Sequence, residues 1–370
     1  MSAGPTPAGA SSRPLLLTMG DACGIGPEIC VAAWARDRGA DLRLVGDAGV
    51  FRRALRFMGL DLPVAVLEHA GDAAPPDCLP VWQPAGLLDG LPVGLPAGLP
   101  EAQSDGQFEG QPDALLAQPL GRVSAAAGAA AARCIVAAVR EQQAGRSRAL
   151  VTAPIHKEAL HAGGIDHPGH TELLQALCAD AQGRLPPVRM MLANDELRVV
   201  LVTIHVALRQ AVDQITTGRV LQTIRIADAA LRRAGIAAPR IAVAGLNPHA
   251  GEGGLFGDEE IVHIAPAIAQ ARTLGIDAHG PFAPDTIFMR ARHAPPKHPG
   301  EFDVVVAMTH DQGLIPVKYL GVEEGVNVTL GLPLVRSSPD HGTAFDIAGT
   351  GRADPSSMVA AIRMARAMSA

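Results

Sequence analysis

Three histidines stand where long apolar runs end. Val304 to Met308 gives way to Thr309-His310-Asp311-Gln312-Gly313, a polar segment read as a turn at Gly313, with Lys318 eight residues after the histidine. The run from Leu197 closes in His205, and the run from Arg240 closes in Asn247-Pro248-His249, followed by Ala-Gly-Glu-Gly-Gly. A continuous apolar run reads as a strand buried on both faces, as in a parallel sheet. In open α/β sheets, ligands sit beyond the carboxyl ends of such strands. One such histidine alone reads equally as a capped strand end or a satisfied core residue. Three of them, on neighbouring parallel strands, would converge on one rim and leave coordination positions free, which is the pattern of a catalytic divalent-metal site.

Other polar clusters accompany them. Asp166-His-Pro-Gly169-His170-Thr171-Glu172 precedes a predicted helix at Leu173. Free N–H groups there could hold a phosphate, with His170 and Thr171 as donors, or could simply be capped. Lys157 follows an apolar run, 149–152, and Asp285 is the one carboxylate of a Pro-rich turn. Gly20, Gly24 and Gly26 form a tight strand-to-helix turn around Asp21. Their spacing is G-x-x-x-G-x-G, not the dinucleotide fingerprint G-x-G-x-x-G, so the residues of a nicotinamide site stay unassigned.

These side chains need a scaffold. The order strand, polar turn, helix recurs, with helices predicted near 29–38, 50–58, 124–140, 218–234, 259–274 and 354–368. That order argues a parallel α/β protein. Polar motifs run from Gly20 to His341, so the site is expected between two lobes: 14–160 plus 335–370, and 161–334. Residues 1–13 read as a disordered tail, 72–118 as a Pro/Gly-rich surface excursion, and 290–300 as a basic loop whose His293 and His298 do no catalysis. The chain has 370 residues, 48% hydrophobic but only 3% aromatic, so its core must be aliphatic. Net charge is −6 with no basic run, which argues against nucleic acid. The apolar runs are too short for a bilayer. Five scattered cysteines without a C-x-x-C pair read as reduced, and a cytoplasmic location follows as the expectation.

Together, Gly20-Asp21…Gly24-Ile-Gly-Pro-Glu28, Pro168-Gly-His-Thr-Glu172, Asn247-Pro-His-Ala-Gly-Glu-Gly253, Thr309-His-Asp-Gln-Gly313 and Asn327…Pro333…Arg336…Asp340-His-Gly342 resemble the 4-hydroxythreonine-4-phosphate dehydrogenase (PdxA) family, in order, from 15 to about 355. The resemblance implies a two-lobed isocitrate/isopropylmalate-dehydrogenase-like fold and a homodimer with its site at the subunit interface. It implies His205, His249 and His310 as metal ligands, with one divalent ion (zinc, magnesium or cobalt) per site. It implies His170, Thr171, Lys318, Asn327 and Arg336 as substrate contacts. The implied reaction is NAD- or NADP-dependent oxidation of 4-phosphohydroxythreonine, with loss of CO2. Lys318 and Arg336 suit a phosphate or carboxylate, and Lys157, Asp285 or Asp311 could relay the proton. Two departures bear on substrate detail: Ala22-Cys23 follows Asp21, and Thr309 precedes His310, where tyrosine is frequent. Catabolic paralogues acting on D-threonate or D-erythronate 4-phosphate, or on another metal-chelating diol, are the implied alternative, and a non-catalytic metal- or phosphate-binding protein on the same scaffold is a third.

Overall fold

The computed structural model describes residues 13–89, 114–321 and 323–369. The expected tail, but for Arg13, and the middle of the Pro/Gly-rich excursion lie outside them. In chain order the strands are β1 (Leu15–Thr18), β2 (Leu42–Val45), β3 (Val64–Leu67), β4 (Leu79–Trp82), β5 (Ala149–Thr152), β6 (Arg189–Ala193), β7 (Arg198–Leu201), β8 (Ile241–Ala244), β9 (Ala278–Phe282), β10 (His293–Ala294), β11 (His298–Pro299), β12 (Val304–Ala307), β13 (Val326–Leu330) and β14 (Arg336–Pro339). β10 and β11 pair only with each other; the other twelve form one sheet in the order 3-4-2-1-5-14-13-6-7-12-8-9.

That order has two parallel blocks. β3, β4, β2, β1, β5 and β14 run one way. β7, β12, β8 and β9 are parallel to one another. Three successive antiparallel pairings, β14–β13, β13–β6 and β6–β7, separate the blocks, so the second runs opposite to the first. The sheet passes unbroken through the expected lobe boundary at 334/335. Helices flank it, as the strand–turn–helix pattern predicts.

Side-chain alternation divides the core. Val200, Val202, Val304 and Val306 join the main cluster, whereas Val199, Leu201, Val305 and Ala307 join a smaller one beneath Leu314 and Val317. This is the period of two expected of strands covered on both faces. Two expectations are corrected. Leu79–Trp82, inside the supposed excursion, is a strand, because Leu79 and Val81 fill the core between β3 and β2. The polar segment after Val304–Ala307 is not a turn at Gly313: the helix His310–Leu320 starts directly at His310. Gly313 is there for close packing, since a Cβ on it would lie 2.5 Å from Leu201 Cδ2.

Candidate active site

The three histidines follow β7, β12 and β8, which are consecutive and parallel in the sheet. The rings of His205 and His310 lie 5.4 Å apart, centroid to centroid. His310 Nδ1 bonds Asp311 Oδ1 at 2.7 Å. That contact makes Nδ1 the protonated nitrogen and leaves Nε2 free as a ligand, the usual way a carboxylate orients a metal-binding imidazole. His249 is different. It is exposed, on the loop Pro248–Gly254, and its recorded ring contact is Phe256 at 6.3 Å. His249, Ala250 and Glu252 have φ of 53°, 53° and 43°, a left-handed region costing about 1 kcal/mol for each such residue. Among the described residues no group of three or more His, Cys, Asp or Glu could hold a metal. One chain therefore offers two adjacent imidazoles and a third held apart on a strained loop.

The second feature is a cleft of about 540 Å³ over the antiparallel centre of the sheet. His170, Thr171, Asn327, Arg336, Lys157 and His205 all line it. Arg336 is 4% exposed. Its guanidinium donates to Thr152 Oγ1 at 2.7 and 3.1 Å and to Thr329 Oγ1 at 3.1 Å. Burial pushes its pKa down to about 9, so it still carries its charge at neutral pH. It has no ion-pair partner among the described residues, so its neighbours there are neutral hydroxyls. A buried, uncompensated guanidinium is costly by itself and suits an incoming anion. His170 opens the helix His170–Leu177, three residues before the expected start at Leu173. Its Nε2 is buried without a hydrogen-bond partner among the described residues. Burial first, then the charge of Arg336, holds its pKa well below the usual value, so the ring is a neutral donor or acceptor.

The remaining expected residues are spread wider. Lys318 pairs with Asp340, which lines the cleft, at 2.8 Å. Asp311 is exposed and engaged with His310. Asp285 lies in the exposed turn after β9, outside the cleft lining, with no hydrogen-bond or ion-pair partner among the described residues. Sequence reasoning missed Thr152 and Thr329 as partners of Arg336, and Ser338 and Asp340 as lining groups. It also gave no account of His156, stacked on Phe345 at 4.6 Å, and read the neighbouring Asp21 as part of a strand-to-helix turn or as a substrate or cofactor contact. Asp21 is fully buried, and burial raises its pKa to about 6 against the opposing Cys23 N–H bond and the His156 charge. No local pattern announces pairs separated by more than a hundred residues.

The family model for the pyridoxal phosphate biosynthetic protein PdxA matches residues 42–365. A 4-hydroxythreonine-4-phosphate dehydrogenase of Beijerinckia indica is 50% identical over 94% of this chain and 92% of its own length. A D-threonate 4-phosphate dehydrogenase of Salmonella typhimurium is 42% identical over 96% and 98%. The crystal structure of the 4-hydroxythreonine-4-phosphate dehydrogenase of Klebsiella pneumoniae superposes with a TM-score of 0.80 at 40% identity, over 97% of this chain and all of that one. The chain belongs to the PdxA family.

Proposed function

We propose that this chain is a dehydrogenase that oxidises the C3 hydroxyl of 4-phosphohydroxythreonine, giving a β-keto acid that loses CO2 to form 3-amino-1-hydroxyacetone phosphate. The observation that carries this reading is Arg336: a buried cation without a carboxylate partner, on the floor of a cleft whose rim carries His205. Arg336, neutral His170 and Thr171 bind the phosphate. Asn327 and Lys318 orient the amino-acid end, with Asp340 holding the lysine amine. Lys157, at the start of the helix Lys157–Ala162, is placed in the cleft to take up the hydroxyl proton. NAD or NADP accepts the hydride when bound.

The donor set fits a divalent cation such as zinc, magnesium or cobalt, held by His205 and His310 of one chain and His249 of a second copy. When bound, such a cation would supply Lewis acidity to the reacting hydroxyl and, after oxidation, to the keto oxygen that receives the electron pair as CO2 leaves. The second copy is supported by the exposed apolar residues that follow the histidines: Leu208 is 69% exposed, Leu255 72% and Tyr319 90%. A rim this apolar reads as an interface rather than a free surface. Asp285 is also exposed, outside the cleft lining of its own chain. No helix among the described residues is long and apolar enough to cross a membrane, and the reading needs no membrane and no nucleic acid.

A second reading has its own support: the Salmonella relative named for D-threonate 4-phosphate is nearly as similar as the hydroxythreonine-phosphate enzymes. NADH formation is measured with both substrates, before and after EDTA. Preference for 4-phosphohydroxythreonine, lost with EDTA and restored by Co²⁺, supports the first reading. Preference for D-threonate 4-phosphate replaces the substrate. Full activity in EDTA removes the metal.

A further inference from the structure

The loop that presents His249 is held by two side chains to which the reading above gives no role. Its residues from His249 to Gly253 all have left-handed φ, between 43° and 79°. Such a run does not hold itself, because each non-glycine residue in it is strained. Glu260 supports it from below. It is 2% exposed, and its Oε1 accepts from the N–H groups of Leu246 at 2.6 Å and Asn247 at 2.8 Å. Its Oε2 accepts from Asn247 Nδ2 at 3.0 Å. Glu260 opens the π-helical turn Glu260–Ile264, an irregularity that re-aims a side chain relative to a plain α-helix. The loop rests directly on it: a Cβ on Gly251 would lie 2.8 Å from Glu260 Oε2. An acceptor-only group is required, since three donors converge on one carboxylate.

Gln312 supplies the second tie. Its Oε1 accepts from Met308 N–H at 2.6 Å, and its Nε2 donates to the Gly245 carbonyl at 2.7 Å. Met308 leads into His310, and Gly245 leads into His249. One amide thus spans the ends of β12 and β8, using its acceptor on one and its donor on the other.

We propose that Glu260 and Gln312 are positioning residues of the metal centre: together they hold each chain's own His249 at one height and direction at the end of the sheet, so that it is presented to the His205 and His310 of a second copy, while touching neither substrate nor cation. The proposal rests on the metal-dependent reading above. It predicts that ligand identity alone does not set affinity; the two ties make each chain present its third imidazole in one place.

The test compares the full-length wild-type protein with Glu260→Gln, Gln312→Met and His249→Ala. Glu260→Gln keeps the volume but turns donors toward donors; Gln312→Met keeps the length and removes both hydrogen bonds. Co²⁺ affinity is measured by competition with a chromogenic chelator, assembly by sedimentation, and kcat across a Co²⁺ series. Glu260→Gln and Gln312→Met are expected to weaken Co²⁺ binding by about 10–100-fold, the usual cost of losing an orienting partner. Their assembly mass should not change, and kcat should recover as Co²⁺ is raised. His249→Ala should bind more weakly still and not recover. Wild-type Co²⁺ affinity in both tie variants, with His249→Ala weakened, overturns the positioning roles and leaves the metal reading standing. Wild-type affinity in His249→Ala overturns the metal reading itself. If Glu260→Gln does not fold, Gln312→Met decides alone.

Discussion

The two ends of the cleft are built in opposite ways. The anion end is closed within one chain: Arg336 is buried, fixed by Thr152 and Thr329, and backed by a neutral His170. The histidine end is open: His205 and His249 are exposed, His310 is half-buried, and apolar side chains beside them face outward. The buried end carries a standing electrostatic cost that only a ligand relieves. At the open end no group of three ligands forms among the described residues. On the function proposed above, a single chain would present a finished phosphate pocket and an unfinished metal site, which would make assembly a condition of chemistry but not of phosphate recognition.

The largest effect should come from the open end. His205→Ala removes one of two adjacent imidazoles, and kcat/KM is expected to fall by about 10³-fold or more, the equivalent of about 4 kcal/mol of lost Lewis-acid stabilisation. Binding of inorganic phosphate, measured by calorimetry, should stay near wild type. Loss of both together would mean that the two ends are not separable. At the closed end, Arg336→Met should reverse the pattern. The KM for a phosphorylated substrate should rise by about 10–100-fold, from one charged hydrogen-bonding group worth about 1.5–3 kcal/mol. Co²⁺ affinity should be unchanged. The melting temperature without ligand should hold or rise, because an uncompensated buried charge has been replaced by an apolar side chain. A marked fall in melting temperature would show that Arg336 is a structural cation and not a waiting anion site.

A smaller effect sharpens the histidine side. Asp311→Asn keeps an acceptor near His310 Nδ1 but removes the charge, so Co²⁺ affinity should drop by about tenfold while the substrate KM stays within about twofold. If kcat collapses even at saturating Co²⁺, then Asp311 takes part in proton transfer, as first expected of it, and is not only an orienting group.

The contrast also explains what the sequence could and could not say. The histidine rim was legible because each histidine follows a run such as Val304–Ala307, short and rich in β-branched residues, which reads as a buried strand. The neighbourhood of β7, β12 and β8 is what that reasoning needed. The closed end was legible only as residue types. Nothing local joins Arg336 to Thr152, 184 residues away. Gly313 looked like a turn because glycine usually is one; its actual reason is contact with Leu201 in a neighbouring strand. Leu79–Trp82 was hidden because Pro80 and the surrounding prolines and glycines argue against a strand, and burial overrode that local preference. The separation of His249 from the other two histidines was not legible at all, since it depends on five left-handed residues seated on Glu260.

The smallest expected effect tests whether strain is also stored on the first strand block. Asp21 is fully buried, its Oδ2 has no partner, and its pKa is raised from 3.8 to about 6. The folded state therefore binds its proton more tightly than the unfolded chain does. Stability from this group should fall as pH rises from about 4 to about 6, and the full cost, about 3 kcal/mol at most, should be present above that range. Asp21→Asn keeps the acceptor for Cys23 N–H and abolishes the titration. Its melting temperature should exceed wild type by a few degrees at pH 8, and the gain should shrink toward zero by pH 4. A gain independent of pH would mean that folding does not shift the Asp21 pKa and that the gain has another source. A loss at pH 8 would mean that its charge is used, with His156 the nearest group to use it, and the first block would then carry a paired charge instead of a cost.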